Sequence, residues 1–401
     1  MKLAPFKSRQ ARPRILAILL EFETWAMGSK WAYASSYALL DGLRAENCDL
    51  TVIPSLYVPQ SPEYNPWVDA RDTIIGNKTF DQVWVWVTHS HYKPGFNEWL
   101  KSIAPVRVGV LMESLTYSAE EIAEIPALAD RKARVFRELA EFTHVISGDH
   151  ADVAMIESEL GLPTKYYMPM LPERLFLDAP PPEGSKALFL GTIYGKRASF
   201  LNSCGPAPEL ALAEPPERQT DLPQRFDDIS RQYKDRMEKS GACAEQTVEY
   251  VTEIWSLRLE VQKLMIAMYR QGYAGVALPA FYKGVTGRII DIIAASTPAL
   301  LPKADPVHER LAGDPLDEEN VFYYDPDTAG DLNRQALRIR NDREAAAQKV
   351  RNASTALRTF ISAEVQIRSI LLWVQSGTRP GRFTCREAFW PVSTIFRRRR
   401  L

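Results

Sequence analysis

The sequence predicts an α/β protein of two doubly wound, Rossmann-like domains facing a central crevice. Short β-branched apolar runs alternate with longer helix-prone stretches, and the series stops and restarts at a proline-rich break near mid-chain. Size agrees, because 401 residues with 46% hydrophobic and 25% charged content suit two cores of ordinary dimensions.

The first series opens with RILAILL (14–20), an apolar run short enough for a buried strand. The loop EFETWAMGSKWAYASSY follows, then the helix-like ALLDGLRAENCDL and a second strand in TVIP, which together make a βαβ unit. Further strands are expected in FDQVWVWV, VRVGVLME and THVIS, with one long charged helix from about Ala119 to Glu141. The prolines and glycine of YYMPMLPERLFLDAPPPEGS mark the break. Beyond it KALFLGT, AGVALPA, PALLP and NVFYYD read as strands, and roughly 330–375 reads as helix. These marks divide the chain into domains 1–178 and 179–360 and a C-terminal helix with a basic tail, 361–401. The Pro-rich and then charged stretch 202–250 is expected as a helical insertion in the second domain.

A net charge of -1 gives no global pull toward nucleic acid, so no nucleic-acid partner is expected and any anion site must be local. Cys48, Cys204, Cys243 and Cys385 lack C-x-x-C spacing and read as reduced thiols, which argues against a zinc site or redox chemistry. The N-terminus is basic and then apolar, but its apolar run is only about six residues long and lacks a small-residue cleavage site, unlike a signal peptide. No stretch approaches the roughly 20 apolar residues of a membrane span. A cytoplasmic location is the expectation.

The stretch LPAFYKGVTGRIIDIIAASTPALLP (278–302) carries the strongest chemical signal. Gly284 and Gly287 let backbone N–H groups approach a ligand, and the helix that follows, begun by Thr286 and Gly287, offers the partial positive charge of its N-terminus to a phosphate. Lys283 and Arg288 add full charges, the arginine as a two-pronged fork. Asp291, one turn on, has two acceptor oxygens suited to ribose hydroxyls. The same residues also fit a plain glycine turn followed by a surface i,i+3 pair of Arg288 and Asp291.

This stretch resembles the C-terminal signature of GT-B glycosyltransferases of the retaining E-x7-E kind, in which a strand, a Tyr-acid-Gly turn and a helix with a second acid end in Gly-Thr-Pro. Tyr282 and Gly284 stand in the turn, Asp291 takes the second acid's place, and Ser296, Thr297 and Pro298 close the helix. Lys283 replaces the first acid. KALFLGTIYGKR is similar to the family's first strand and basic turn of the nucleotide domain, with Gly191, Lys196 and Arg197 at the diphosphate-contacting positions. YYMPMLPERLF is similar to the interdomain linker, and ENVFYYDPDTAGDLNRQALRIRNDREAAAQKVRNAS to the late strand, loop and helix. The resemblance covers 186–360 in order and is nearest to the spore-maturation-protein-like branch.

The resemblance implies a glycosyltransferase that moves a hexose-type sugar, with retention, from a nucleotide-diphosphate donor. That donor is a substrate rather than a cofactor, and no cofactor or metal is expected. The acceptor, a glycan, a lipid-linked chain or another molecule, would lie on the N-terminal domain. Lys283 also supports a second reading, a catalytically silent subunit that binds nucleotide sugar or serves assembly of envelope polysaccharide enzymes. An ammonium at position 283 further suits an acidic sugar or an added diphosphate contact.

His89 and His91 follow the strand VWVWV at its carboxyl end, where an acceptor or base could lie; otherwise they are loop histidines, and no third metal ligand is nearby. Glu113 ends another strand there and could orient an acceptor hydroxyl or act as base, unless Ser114 simply caps a helix. Gly28, Ser29 and Lys30 follow the first strand, where the family's glycine loop meets donor and acceptor. Trp84 and Trp86 alternate on a strand and read as core more than as a platform for a sugar, which Trp99 could also provide. The tail RPGRFTCREAFWPVSTIFRRRRL holds seven arginines against one glutamate, which fits peripheral contact with an anionic membrane face or a solvated terminus equally.

Overall fold

In the computed structural model the described residues are 12–20, 34–46, 48–54, 57–58, 66–87, 91–193, 195–215, 220–280, 285–303 and 316–376. The first six-stranded sheet joins β1 (Arg14–Leu20), β2 (Asp49–Pro54), β4 (Gln82–Trp86), β6 (Val106–Leu111), β7 (His144–Ser147) and β8 (Thr164–Tyr166). Its order is β2-β1-β4-β6-β7-β8 and every neighbouring pair is parallel. Helices α1 (Ala34–Ala45), α2 (Pro66–Ile75), α3 (Phe96–Ile103), α4 (Ala119–Glu124), α5 (Arg131–Leu139) and α6 (His150–Leu160) connect these strands. A two-residue antiparallel pair, β3 (Tyr57–Val58) with β5 (His91–Tyr92), lies apart from the sheet. Central β4 is buried at every position, as a parallel strand covered on both faces must be. Trp84 and Trp86 are therefore core residues, 0% and 5% exposed.

The long helix expected over 119–141 is broken into α4, a short 3-10 turn at Pro126–Leu128 and α5. Pro126 has no N–H to give and its ring crowds the preceding turn, so a continuous helix is blocked there. Ser118 caps α4 in a capping box with Glu121. The helix cap is thus Ser118 and not Ser114, which is buried.

The second sheet has the order β10-β9-β11-β12-β13, again parallel throughout. Its strands are β9 (Ala187–Leu190), β10 (Leu210–Ala213), β11 (Ala274–Val276), β12 (Ala299–Pro302) and β13 (Phe322–Tyr324). Around it run α7 (Lys196–Ser203), the end of α9 (Ala244–Tyr269), α10 (Gly287–Ala294), α11 (Asp331–Asn341) and α12 (Arg343–Phe360), while α8 (Leu222–Ser240) and α13 (Ala363–Ser376) pack on the first core. Separate apolar clusters pack on its two faces, one around Ile289, Ile292 and Leu357 and the other around Phe189, Tyr324 and Ile339.

The stretch 202–250 differs from the expected insertion. It contains β10, the edge strand of the second sheet, and then α8, whose Leu222, Phe226, Tyr233 and Met237 join the first core. Those four residues recur at helical spacing and make one apolar stripe, which needs a partner surface to bury it. The aromatic chain Tyr233–Tyr250–Trp67, with ring centroids 5.3 and 5.1 Å apart, supplies the seam to α9 and α2.

Among the described residues, the linker after β8, helix α9 and helix α13 each run between the lobes. The linker after β8 places Tyr167 and Met170 in the first core and Met168 and Leu171 in the second. Helix α9 buries Ile254 and Val261 in the first core and Ile266 and Tyr269 in the second. Helix α13 returns to α1, where a Cβ on Gly42 would stand 2.5 Å from Ile367, so only glycine permits that approach. Gln366 fixes the return by accepting from Met168 N–H and donating to Met168 O, both at 3.0 Å.

Candidate functional site

In the second sheet the chain leaves β9 for β10 on one side and resumes at β11 on the other. The carboxyl ends of β9 and β11 therefore flank a topological switch point, where ligands of open α/β sheets bind. Gly191 follows β9 directly with φ 152, a backbone region that L side chains rarely adopt. A Cβ there would lie 2.3 Å from Arg288 Nη2 and 3.1 Å from Phe189.

Two guanidinium groups grip this turn. Arg288, in the first turn of α10, donates Nε–H to Leu190 O at 2.6 Å and lies 4.7 Å over the Phe189 ring. Arg197, buried in α7, donates Nη1–H to Thr192 O at 2.9 Å and lies 5.7 Å from the same ring. Gly287 is exposed at the start of α10, and nothing stands within 4 Å of where its Cβ would be. The first backbone N–H groups of α10 are thus unshielded by any side chain of residue 287. Thr286 occupies the N-cap position without a side-chain cap bond, and its buried Oγ1 has no hydrogen-bond partner. At the other end of α10, Ser296 holds φ 51 where the resembling motif carries glycine, and its Oγ donates to Leu177 O at 2.5 Å.

Asp291 departs from its expected place. Its side chain is only 7% exposed and accepts from Gln262 Nε2 at 2.5 Å, so one oxygen faces α9 rather than an open crevice. Nor is Asp291 half of a surface pair with Arg288, since it is buried and Arg288 bonds Leu190 O. Beneath them lies Tyr269, whose phenol burial pushes up while the Arg288 guanidinium opposes.

Lys196, the first residue of α7, pairs with the Glu121 carboxylate of α4. Because α4 follows β6 and α7 follows β9, this pair spans the carboxyl edges of the two sheets and shows that they face each other across the crevice. Glu113, beyond β6, is held by Arg131 at 2.6 Å, and Arg131 also donates to the Tyr117 hydroxyl at 2.7 Å. Burial pushes the Tyr117 phenol up to about 12, against the pull of Arg131.

Gly28 and Lys30 follow β1 in sequence, His89 follows β4, and Lys283 and Gly284 precede α10; these five lie outside the described residues. The chain leaves β1 for β2 on one side and resumes at β4 on the other, so the carboxyl ends of β1 and β4 flank the first sheet's own switch point. Among the described residues no group of three or more His, Cys, Asp or Glu is placed to hold a metal, and no helix is long and apolar enough to cross a membrane. The sequence reading missed two partners of the expected site, Glu121 and Gln262. S-A-E-E at 118–121 was legible as a capping box, but its reach across the crevice depends on how the lobes pack.

No protein-family model matches the sequence, and no curated protein matches it. Solved structures match in fold. Sucrose-phosphate synthase from Thermosynechococcus elongatus superposes with a TM-score of 0.57 at 12% identity, covering 92% of this chain and 100% of that one. An alpha-glucosyltransferase in complex with UDP-glucose and DNA containing an abasic site gives 0.55 at 10% identity, covering 91% and 100%. Anabaena HepE in complex with UDP-glucose gives 0.50 at 12% identity, covering 90% and 100%. The protein thus has the two-domain, Rossmann-like GT-B fold.

Proposed function

We propose that the protein is a glycosyltransferase that moves a hexose-type sugar from a nucleoside-diphosphate donor to a glycan or lipid-linked acceptor on the first lobe. The observation that carries this reading is the convergence, at one switch point, of the Gly191 turn, the α7 start with Lys196 and Arg197, and the α10 start with Arg288. Two of the fold's neighbours were solved with UDP-glucose, which makes UDP-sugars the first donors to try.

Cleaving the bond between the anomeric carbon and the diphosphate builds negative charge on the departing phosphate. Arg288, Lys196 and the N-terminus of α10 are preorganised to stabilise it, and in this reading they do so without a metal. The resemblance to retaining enzymes supports retention of anomeric configuration. In this reading Asp291 is a positioning residue that ties α10 to α9 through Gln262. The arginine-rich tail supports an acceptor met at an anionic membrane face. Equal co-sedimentation with anionic liposomes by the full chain and by a chain lacking 379–401 would remove that last point.

A thermal-shift screen with UDP, GDP, CDP, ADP and dTDP sugars tests the whole reading. A donor at a hundred times its Kd stabilises the native state by about 2.7 kcal/mol and raises the melting temperature. A flat response to all five families sinks it.

A further inference from the structure

The pair between Lys196 and Glu121 has an unusual asymmetry. The Glu121 side chain is 1% exposed and that of Lys196 is 43% exposed. One oxygen of the glutamate accepts from Ser118 N–H at 2.7 Å, which locks it in the capping box of α4, and the other takes the lysine ammonium. The glutamate is therefore a fixed anion on the first lobe. The lysine is the movable partner, carried on a flexible four-carbon stem from the start of α7. That start lies five residues beyond Gly191, at the switch point where the proposed diphosphate sits.

We infer that Lys196 is shared between two anions, the Glu121 carboxylate and the donor's diphosphate, which compete for its ammonium. The inference rests on the proposed function, because it needs a diphosphate at the Gly191 turn. Glu121 then acts through Lys196, as a positioning residue that sets how much donor affinity is withheld and that ties donor entry to loss of a contact between the lobes. A doubly charged diphosphate at a helix N-terminus is the stronger competitor for one ammonium, since it offers more acceptor oxygens and more charge.

The variants Glu121→Gln and Lys196→Met, alone and combined, test this by calorimetric titration with UDP, ADP and GDP at pH 8. Glutamine keeps the capping box, because its amide oxygen still accepts from Ser118 N–H, so α4 retains its start. Competition predicts that Glu121→Gln binds the preferred nucleotide about three- to tenfold more tightly and that Lys196→Met binds it more weakly. It also predicts that the gain from Glu121→Gln falls below half when Lys196 is already methionine, since no ammonium is left to release. Plain repulsion between Glu121 and the diphosphate predicts the reverse, a larger gain once the ammonium no longer screens the carboxylate, and that order overturns the inference. Nucleotide binding unchanged by either substitution overturns it while the proposed function stands. If the unmodified protein binds none of the three nucleotides, both fall.

Discussion

Replacing Gly191 by alanine strikes the turn at which the two arginines meet. With φ 152 the position is strained for any L side chain, at about 1–3 kcal/mol. The added Cβ would also stand 2.3 Å from Arg288 Nη2. Arginine is flexible, but this one is fixed by the 2.6 Å bond to Leu190 O and by its stacking on Phe189. Moving it sacrifices a charge-assisted hydrogen bond, about 1.5–3 kcal/mol more. The expected loss is therefore roughly 2.5–6 kcal/mol of stability. Nucleoside-diphosphate affinity should fall as well, because the guanidinium is displaced from the switch point. Urea unfolding measures the first effect and calorimetric titration with UDP the second. Gly191→Ala with unchanged stability and unchanged affinity would refute the account of the turn.

Asp291→Ala leaves the buried Gln262 amide without its acceptor and should cost about 1–3 kcal/mol of stability, read by chemical denaturation; an unchanged midpoint would show that the 2.5 Å bond contributes nothing. Lys165 is buried in β8, and burial lowers its ammonium from 10.5 to about 8. The unfolded chain thus binds more protons than the fold between about pH 8 and 10.5, so this lysine makes stability rise with pH across that window. Lys165→Met should abolish that rise, and parallel pH profiles for the two proteins would contradict it. Lys283→Glu should weaken use of a uronic-acid donor by about 2–5 kcal/mol and of the matching neutral donor much less, if the lysine reads a sugar carboxylate. Equal losses in kcat/KM would assign it to the diphosphate instead.

The strands were legible where apolar runs are long and bounded by turn residues, as in RILAILL and QVWVWV, since burial on both faces leaves no choice of composition. Strand β10 was not, because LALA is half exposed at a sheet edge and follows prolines that read as loop. The stripe of α8 was visible as helix, but which lobe receives it depends on packing between segments distant in sequence. At the second switch point, Gly191, Arg197 and Arg288 were named from the sequence, and the structure brings them together there. What Asp291 and Lys196 touch was not legible. Gln262 and Glu121 lie 29 and 75 residues from them, and no local spacing announces such pairs.

The central claim is that the cations at the second sheet's switch point drive departure of a nucleoside diphosphate. Its most direct test follows a radiolabelled sugar from the donor chosen by thermal shift, comparing the unmodified protein with Arg288→Ala at saturating donor. The unmodified protein should release nucleoside diphosphate and move label to an acceptor or to water, while Arg288→Ala should lower the rate by about a hundredfold or more. A protein that binds the donor yet never breaks its bond, or an Arg288→Ala variant that turns over as fast as the unmodified chain, would contradict it.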